Sequence, residues 1–453
     1  MLTDPPQTAR RVINNSFYQT KILMKNLLRL RSLLPLLFLV CALLVTSCDK
    51  DKSPATPAPT YSDQVVTSWL TLQLKLTLTA PGGPIASPRR YAYTGIALYE
   101  SIVPGFPAYQ SITPQLNGLS ALPTVASGTN YYWPACANAA MAAMIRNVYP
   151  TTSAANKLSI DSLEAANIAQ YQKDRPVDEL TQSAEFGKQV AAAVFAWAKT
   201  DGSVNTTSYT PPVGDGLWVP TPPAFGPCIF PYWGQCRPIV ANSGVGAAQG
   251  APISYSTDPA SAYYAQAKEV YDISQALTPE QRTIALFWNS NSWNNILSQL
   301  LAVEKPPLEV AAVAYTQMSI AMADASISLF KDKYLYNCVR PITYIRSVLS
   351  QPTWNAVLVT PPHPEYPSGH AIISSAAAET LTLLFGDNHQ FSNQLYGAAG
   401  FSPRSYASFE AAAREAANSR VYGGIHYSKT ADAGLMQGKI IAHNVAQNLK
   451  FKR

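Results

Sequence analysis

The chain has 453 residues, 47% of them apolar, with 33 lysines and arginines against 27 aspartates and glutamates. That length suits one large domain or two ordinary ones, and the apolar content supplies a core that needs neither metals nor many disulfides. Of the formal charge of +6, +5 lies in residues 1–47, where Arg10, Arg11, Lys21, Lys25, Arg29 and Arg31 face Asp4 alone. The near-neutral remainder excludes a broad nucleic-acid surface, which needs a basic stripe on the domain itself.

Residues 1–23 read as an upstream extension, because a complete secretory signal begins at Met24. Lys25, Arg29 and Arg31 precede "LLPLLFLVCALLV", and small residues follow in "TSCDK". A positive n-region, an apolar stretch short for a membrane span, and a small-residue end make residues 24–47 a signal peptide. "VTSC" resembles a bacterial lipobox, which would make Cys48 the lipidated first residue of the mature chain. The expected location is therefore outside the cytoplasm, held to a bacterial membrane by the lipid anchor only. Residues 48–62, rich in proline and charge, read as a tether.

From residue 63 to 453 the dominant signal is helical. "QVVTSWLTLQLKLTL" is ambiguous, since its β-branched residues also suit a strand. "RRYAYTGIALYESIV", "CANAAMAAMIRNVY", "NKLSIDSLEAANIAQYQKD" and "ELTQSAEFGKQVAAAVFAWAKTDG" repeat apolar residues every three or four positions. Residues 203–260 break this pattern with "YTPPVGDGLWVPTPPAFGPCIFPYWGQCRP", a long Pro- and aromatic-rich loop of the kind that is functional or wraps a core. Helical signals resume in "TPEQRTIALFW", "LEVAAVAYTQMSIAMADASISLFKDKY", "GHAIISSAAAETLTLLFG", "SYASFEAAAREAANSR" and "ADAGLMQGKIIAHNVAQNLK". The class expected is an all-α helical bundle. Cys228 and Cys236 are close in a loop of an exported chain, so a disulfide between them is expected. Cys136 and Cys338 fall in helical-looking segments and read as buried thiols.

Three short segments carry chemistry. In "KDKYLYNCVRPITY", Lys333 and Arg340 are two helical turns apart, which on one helix puts both on one face, and Pro341 should end that helix. Taken alone, this is a solvated basic stripe. In "HPEYPSGHAIISSAAAET", Ser368 is a candidate N-cap and Gly369 lets a ligand approach the backbone. The free amides and dipole of the helix start make an anion site there. His370 sits in its first turn, where the dipole should lower its pKa. In "NSRVYGGIHYS", a Gly423–Gly424 bend could fold Arg420 and His426 towards one point. Together the three segments offer three cations, a hydroxyl, a helix start and two histidines. That is the donor set for a tetrahedral oxyanion such as phosphate or vanadate.

The ordered set Lys333–Pro341, Pro367–His370 and Ser419–His426 resembles the superfamily of type 2 phosphatidic acid phosphatases and vanadium-dependent haloperoxidases. "GLWVPTPPAF", "PYWGQCRP" and "GIHYSKTADAGLMQGKII" look like the haloperoxidase branch. The resemblance covers most of residues 63–453. It implies that His426 is the axial ligand of vanadate, or the phosphohistidine nucleophile if phosphate is the ligand. It implies that His370 is the acid–base partner at the opposite apex. Lys333, Arg340, Arg420, Ser368 and the Gly369 N–H would hold the equatorial oxygens. His363 matches a position that is commonly Phe in chloride-oxidising members and His in bromide- or iodide-oxidising ones.

The family often braces the last-motif arginine with an acid. Here "FWNSNSWNNI" offers Asn289 and Asn291 instead, which can brace a guanidinium but not neutralise it. The function implied is a vanadate-dependent haloperoxidase that uses hydrogen peroxide to oxidise halide, bromide or iodide favoured, in the presence of a small organic acceptor. The alternatives are an exported acid phosphatase and a non-catalytic anion-binding lipoprotein. The length and the aromatic loop favour the first, and pure binding would need neither His370 nor His426.

Overall fold

A computed structural model describes residues 60–80, 83–289, 293–394 and 400–453. The signal segment, Cys48, most of the tether and Asn291 lie outside the described residues. Tyr61 and Ser62, assigned to the tether by composition, already pack on the domain: Leu308 N donates to Tyr61 O (2.9 Å) and Ser62 bridges to Pro307.

The ambiguous first segment is a helix, α1 (Gln64–Thr79). Its buried residues Val65, Val66, Trp69, Leu70, Gln73 and Leu76 fall on one helical stripe, and Trp69 Nε1 donates to Asn138 Oδ1 (2.8 Å). Burial of a helical face has overridden the strand preference of single β-branched residues. There follow α2 (Gly83–Ile102), α3 (Trp133–Val148), α4 (Ala154–Tyr171) and α5 (Val177–Ala198). After the irregular tract come α6 (Ala262–Gln275), α7 (Pro279–Phe287), α8 (Trp293–Glu304), α9 (Leu308–Tyr336), α10 (Pro341–Ser347) and α11 (Gly369–Phe385). A two-stranded antiparallel pair, β1 (Phe391–Asn393) and β2 (Arg404–Tyr406), leads to α12 (Phe409–Tyr422) and α13 (Ser428–Asn448).

The all-α expectation holds. No helix among the described residues is long and apolar enough to cross a membrane. α6, α8, α10 and the strand pair were not expected from the sequence. α9 is the axis of the fold. It packs on α2 on one side and on α11 and α13 on the other. Nearly every residue from Leu308 to Ser326 is buried, so it shows no polar face.

Two features of α13 fix how closely it meets α11. A Cβ on Gly434 would stand 2.9 Å from Ser368 O, and one on Gly438 would stand 2.1 Å from Ile372 O. Only glycine permits this approach.

Residues 203–260 are irregular apart from one turn at Trp233–Gln235. They wrap the C-terminal half instead of hanging free. Trp218 N donates to Asn337 O (2.7 Å), Val339 N to Gly216 O (2.9 Å) and Ile229 N to Pro362 O (3.0 Å). Tyr366 Oη reaches Gly250 O (2.9 Å) and Tyr344 Oη reaches Ser256 O (2.6 Å). Asp324 of α9 accepts from the amides of Ile239 (2.7 Å) and Val240 (3.0 Å). These contacts satisfy backbone groups that a loop buried without partners would leave unpaired.

The expected disulfide is absent: Cys228 and Cys236 are both free. Cys228 faces Tyr334, whereas Cys236 is buried after the Trp233–Gln235 turn, near Asp201 and Arg89. A turn between them directs the two thiols to different neighbours, and nearness in sequence does not give bridging geometry. Cys136 is a buried helical thiol as expected. Cys338 is only partly buried and lies beyond the end of α9, where it bridges to Leu217.

Candidate active site

The three segments converge on one buried cluster, but not all through the local structure expected. Lys333 and Arg340 do not share a helix. Asn337, at φ +48°, ends α9, and asparagine tolerates that left-handed conformation. Arg340 is extended and caps α10, with Pro341 at its first position. Pro341 therefore starts a helix, a position where its missing N–H costs nothing.

Lys333 is fully buried. Its Nζ donates to the carbonyls of Pro364 (2.7 Å), Glu365 (2.9 Å) and Pro367 (2.7 Å). An ammonium has three donors, so all three are taken by the segment leading into α11. Lys333 pins that segment and lends the site its charge. Burial lowers its pKa, and Arg340 adds to the lowering.

Arg340 is also fully buried. Nε donates to His363 O (2.9 Å), and Nη1 donates to Ile425 O (2.8 Å). Nη1 lies 3.2 Å from His426 Nε2, and Nη2 lies 3.0 Å from His363 Nδ1. Arginine can only donate, so His426 Nε2 and His363 Nδ1 both present lone pairs. Burial brings the Arg340 pKa down to about 10.

His426 stands at the bend expected between α12 and α13. Gly424 takes φ +75°, and Ile425 N turns back to Arg420 O (3.1 Å). With its lone pair on Nε2, His426 carries its proton on Nδ1. That proton goes to Glu365 Oε1 at 2.6 Å. Glu365 is almost fully buried and was missed as a site residue. One signal was available: it is the only acid between Asp332 and Glu379.

Ser368 precedes α11 as expected, but its hydroxyl makes no capping bond. Its Oγ is buried without a partner, as are His370 Nε2 and Arg420 Nε. Gly369 opens α11, so its N–H has no acceptor within the helix. The His370 ring is half-buried, and its other contacts are the backbone of Asn289 and Trp288. Its pKa is well below the usual histidine range, as expected, but burial is the main cause and Arg420 the second. The same direction holds for His363 and His426, again from burial first and then the neighbouring cations.

Arg420, in the last turn of α12, donates Nη1 to Trp288 O (3.2 Å). Among the described residues no carboxylate pairs with it. Burial, then Arg340, lowers its pKa to about 9. The brace is thus in the "FWNSNSWNNI" segment, but it is the Trp288 carbonyl. Asn289, offered for that role, is exposed. His363 packs edge-on against Phe330, with ring centroids 5.5 Å apart.

Three buried cations and one buried acid leave an excess of positive charge. Desolvating an uncompensated charge costs several kcal/mol. Each unpartnered buried polar group adds about 1–3 kcal/mol. An oxyanion relieves both costs at once. Vanadate fits this donor set: His426 Nε2 offers a lone pair, and Ser368 Oγ, His370 Nε2 and Arg420 Nε await partners.

A family model described as the VCPO second helical-bundle domain matches residues 313–452, which hold every one of these side chains. No curated protein sequence matches the chain. Among solved structures, the first bacterial vanadium-dependent iodoperoxidase is 31% identical, with a TM-score of 0.79 over 88% of this chain and 98% of its own. Apo and holo forms of a bacterial vanadium-dependent chloroperoxidase are each 17% identical. Their TM-scores are 0.63 and 0.62, over 82% and 83% of this chain and 95% and 94% of theirs, and they bear on the fold alone. With near-complete coverage of the iodoperoxidase, the chain belongs to the vanadium-dependent haloperoxidase family and is an enzyme of it.

Proposed function

We propose that this enzyme binds vanadate at His426 and oxidises bromide or iodide with hydrogen peroxide. The observation that carries this is that three buried groups without partners, Ser368 Oγ, His370 Nε2 and Arg420 Nε, lie on the segments that meet at His426, whose Nε2 accepts from Arg340. Bound vanadate would supply a Lewis-acid centre for peroxide. The chain's own residues do the rest. His426 Nε2 would bind the vanadate, Arg340, Arg420, Ser368 and the Gly369 N–H would hold its oxygens, and Lys333 would add its charge. His370, kept neutral by burial, would take or return a proton at a bound oxygen through Nε2. His363 borders the halide position, and the similarity to an iodoperoxidase supports the bromide and iodide preference.

The test is bromide- and iodide-dependent peroxide consumption by purified apo-protein, with and without orthovanadate, beside a phosphatase assay. Halide oxidation that appears only with vanadate is expected. Phosphate ester hydrolysis without halide oxidation would show that the pocket works with phosphate and a phosphohistidine. We further propose export and lipid anchoring at Cys48, supported by residues 24–48. Labelled fatty acid should enter the wild type and not Cys48→Ala.

A further inference from the structure

We infer that Glu365 is a positioning residue that holds His426 in the tautomer with its proton on Nδ1, so that Nε2 keeps its lone pair before any ligand arrives. The inference rests on the vanadate reading above for its consequence, but the tautomer itself is a property of the free protein.

The geometry closes from both sides of the ring. Arg340 Nη1, 3.2 Å away, can only donate to Nε2. Glu365 Oε1, 2.6 Å away, is the acceptor at Nδ1. The same carboxylate oxygen accepts from Thr430 Oγ1 (2.6 Å) and from Tyr427 N (3.3 Å). Both further donors come from the His426 segment. A fourth tie joins the same two stretches, from Ser368 N to Thr430 O (3.3 Å). Glu365 therefore links the segment before α11 to the His426 segment, as Arg340 does, but it does so at the ring nitrogen opposite the ligand position. A carboxylate behind a ligating histidine fixes its tautomer and orientation and raises its basicity. Lys333 supports the arrangement from below by holding the Glu365 carbonyl (2.9 Å).

The experiment uses the full chain labelled with ¹⁵N-histidine. His426 is assigned by its absence from His426→Ala. The free wild-type protein should show a protonated Nδ1 and an unprotonated Nε2 for His426. Orthovanadate and inorganic phosphate are then titrated calorimetrically. Glu365→Leu keeps side-chain bulk without an acceptor, and should lose the single tautomer and about 10- to 100-fold in orthovanadate affinity. Glu365→Gln keeps an acceptor oxygen against the Tyr427 amide, and should retain the tautomer and recover most of that affinity. A wild-type His426 protonated on Nε2 overturns the inference whatever the variants do. So does a folded Glu365→Leu with the wild-type tautomer. A wild type with the expected tautomer that binds phosphate but not vanadate leaves the inference standing and overturns the vanadate reading instead.

Discussion

Two arginines are tied to the same tryptophan, one through Glu415 and one directly, and their surroundings differ. Trp288 Nε1 donates to Glu415 Oε1 (2.9 Å), and the same oxygen takes Arg404 Nε (2.8 Å) and Tyr406 Oη (2.7 Å). Arg404 also reaches Glu415 Oε2 (2.7 Å) and Glu280 Oε1 (2.8 Å). Hydrogen bonds that Arg404 donates to Glu415 raise its pKa above its ordinary value. By contrast, Trp288 O is the acceptor for Arg420, whose pKa falls to about 9 and whose Nε has no partner. Glu415 and Arg420 sit on the same helix, α12. The first cluster is complete in itself and does a structural job. The second is incomplete, and what it lacks is a negative group of several acceptors. In this fold an unsatisfied arginine marks chemistry more clearly than a perturbed pKa does, since both arginines are perturbed.

The contrast breaks if chemistry and stability fail to separate. The largest effect should come from the histidines. His370→Ala should cut turnover by about 10²–10⁴ while keeping much of the vanadate affinity. His426→Ala should abolish turnover and leave only weak binding to the cations. Vanadate titration with steady-state rates decides this, and a His370→Ala protein that cannot bind alongside a fully active His426→Ala would reverse the assignment.

Next come the arginines themselves. Losing one hydrogen bond to a charged group, worth about 1.5–3 kcal/mol, should weaken vanadate binding about 10- to 150-fold in Arg420→Ala. Its melting temperature in the free state should hold or rise, because an uncompensated charge has gone. Arg404→Ala should do the opposite. It should cost about 3 kcal/mol of stability by leaving Glu415 unpaired, with vanadate affinity near wild type. Calorimetry on both variants gives the two columns of the comparison.

Acid sharpens the contrast further. His363, His370 and His426 have folded pKa values depressed below 6.5, so the unfolded chain binds protons that the folded chain does not. Stability of the free protein should therefore fall as pH drops below about 6.5, by up to about 1.4 kcal/mol per pH unit for each histidine. Glu415 is depressed below 4.5, chiefly by Arg404, Trp288 and Tyr406 acting against burial. Its contribution is present above the unfolded value and is lost only as pH falls through the folded one. Denaturant unfolding from pH 8 to 3 should show two limbs. His370→Ala should flatten the upper limb and Glu415→Gln the lower.

The smallest effect concerns His363, which accepts from Arg340 Nη2 at 3.0 Å and packs on Phe330. His363→Phe removes one hydrogen bond of about 0.5–1.5 kcal/mol, so relative rates with iodide, bromide and chloride should shift two- to roughly tenfold towards chloride. An unchanged halide profile would leave His363 as packing only.

The ligand set was legible because each part is a short contiguous word with its own backbone device. Ser368 and Gly369 announce a helix start, and Gly423 and Gly424 announce a bend. What joins those words was harder to see. The Trp288 carbonyl that braces Arg420 has no sequence signature, because every residue has a carbonyl. Glu365 lies inside the "HPEYPSGHAIISSAAAET" segment, but its role depends on which face of His426 the later bend presents. Lys333 and Arg340 looked like one helical face because Pro341 reads equally as a stop and as a start. The left-handed Asn337 decides between the two. Cys228 and Cys236 illustrate the same limit, since separation along the chain says nothing about where two thiols point. α6 follows directly on the irregular tract, and α8 begins inside the Trp–Asn segment, whose run of asparagines hides the helical pattern.

Gly434 and Gly438 lie on α13, eight and twelve residues beyond His426, and touch neither ring nor guanidinium. Yet they determine the gauge of the pocket. Because α13 rests on the backbone of Ser368 and Ile372, the spacing between the His426 segment and the first turn of α11 is a contact between main chains. No rotamer can retune it. A single methyl at 434 would wedge the two segments apart at Ser368 without altering any of the candidate ligand side chains.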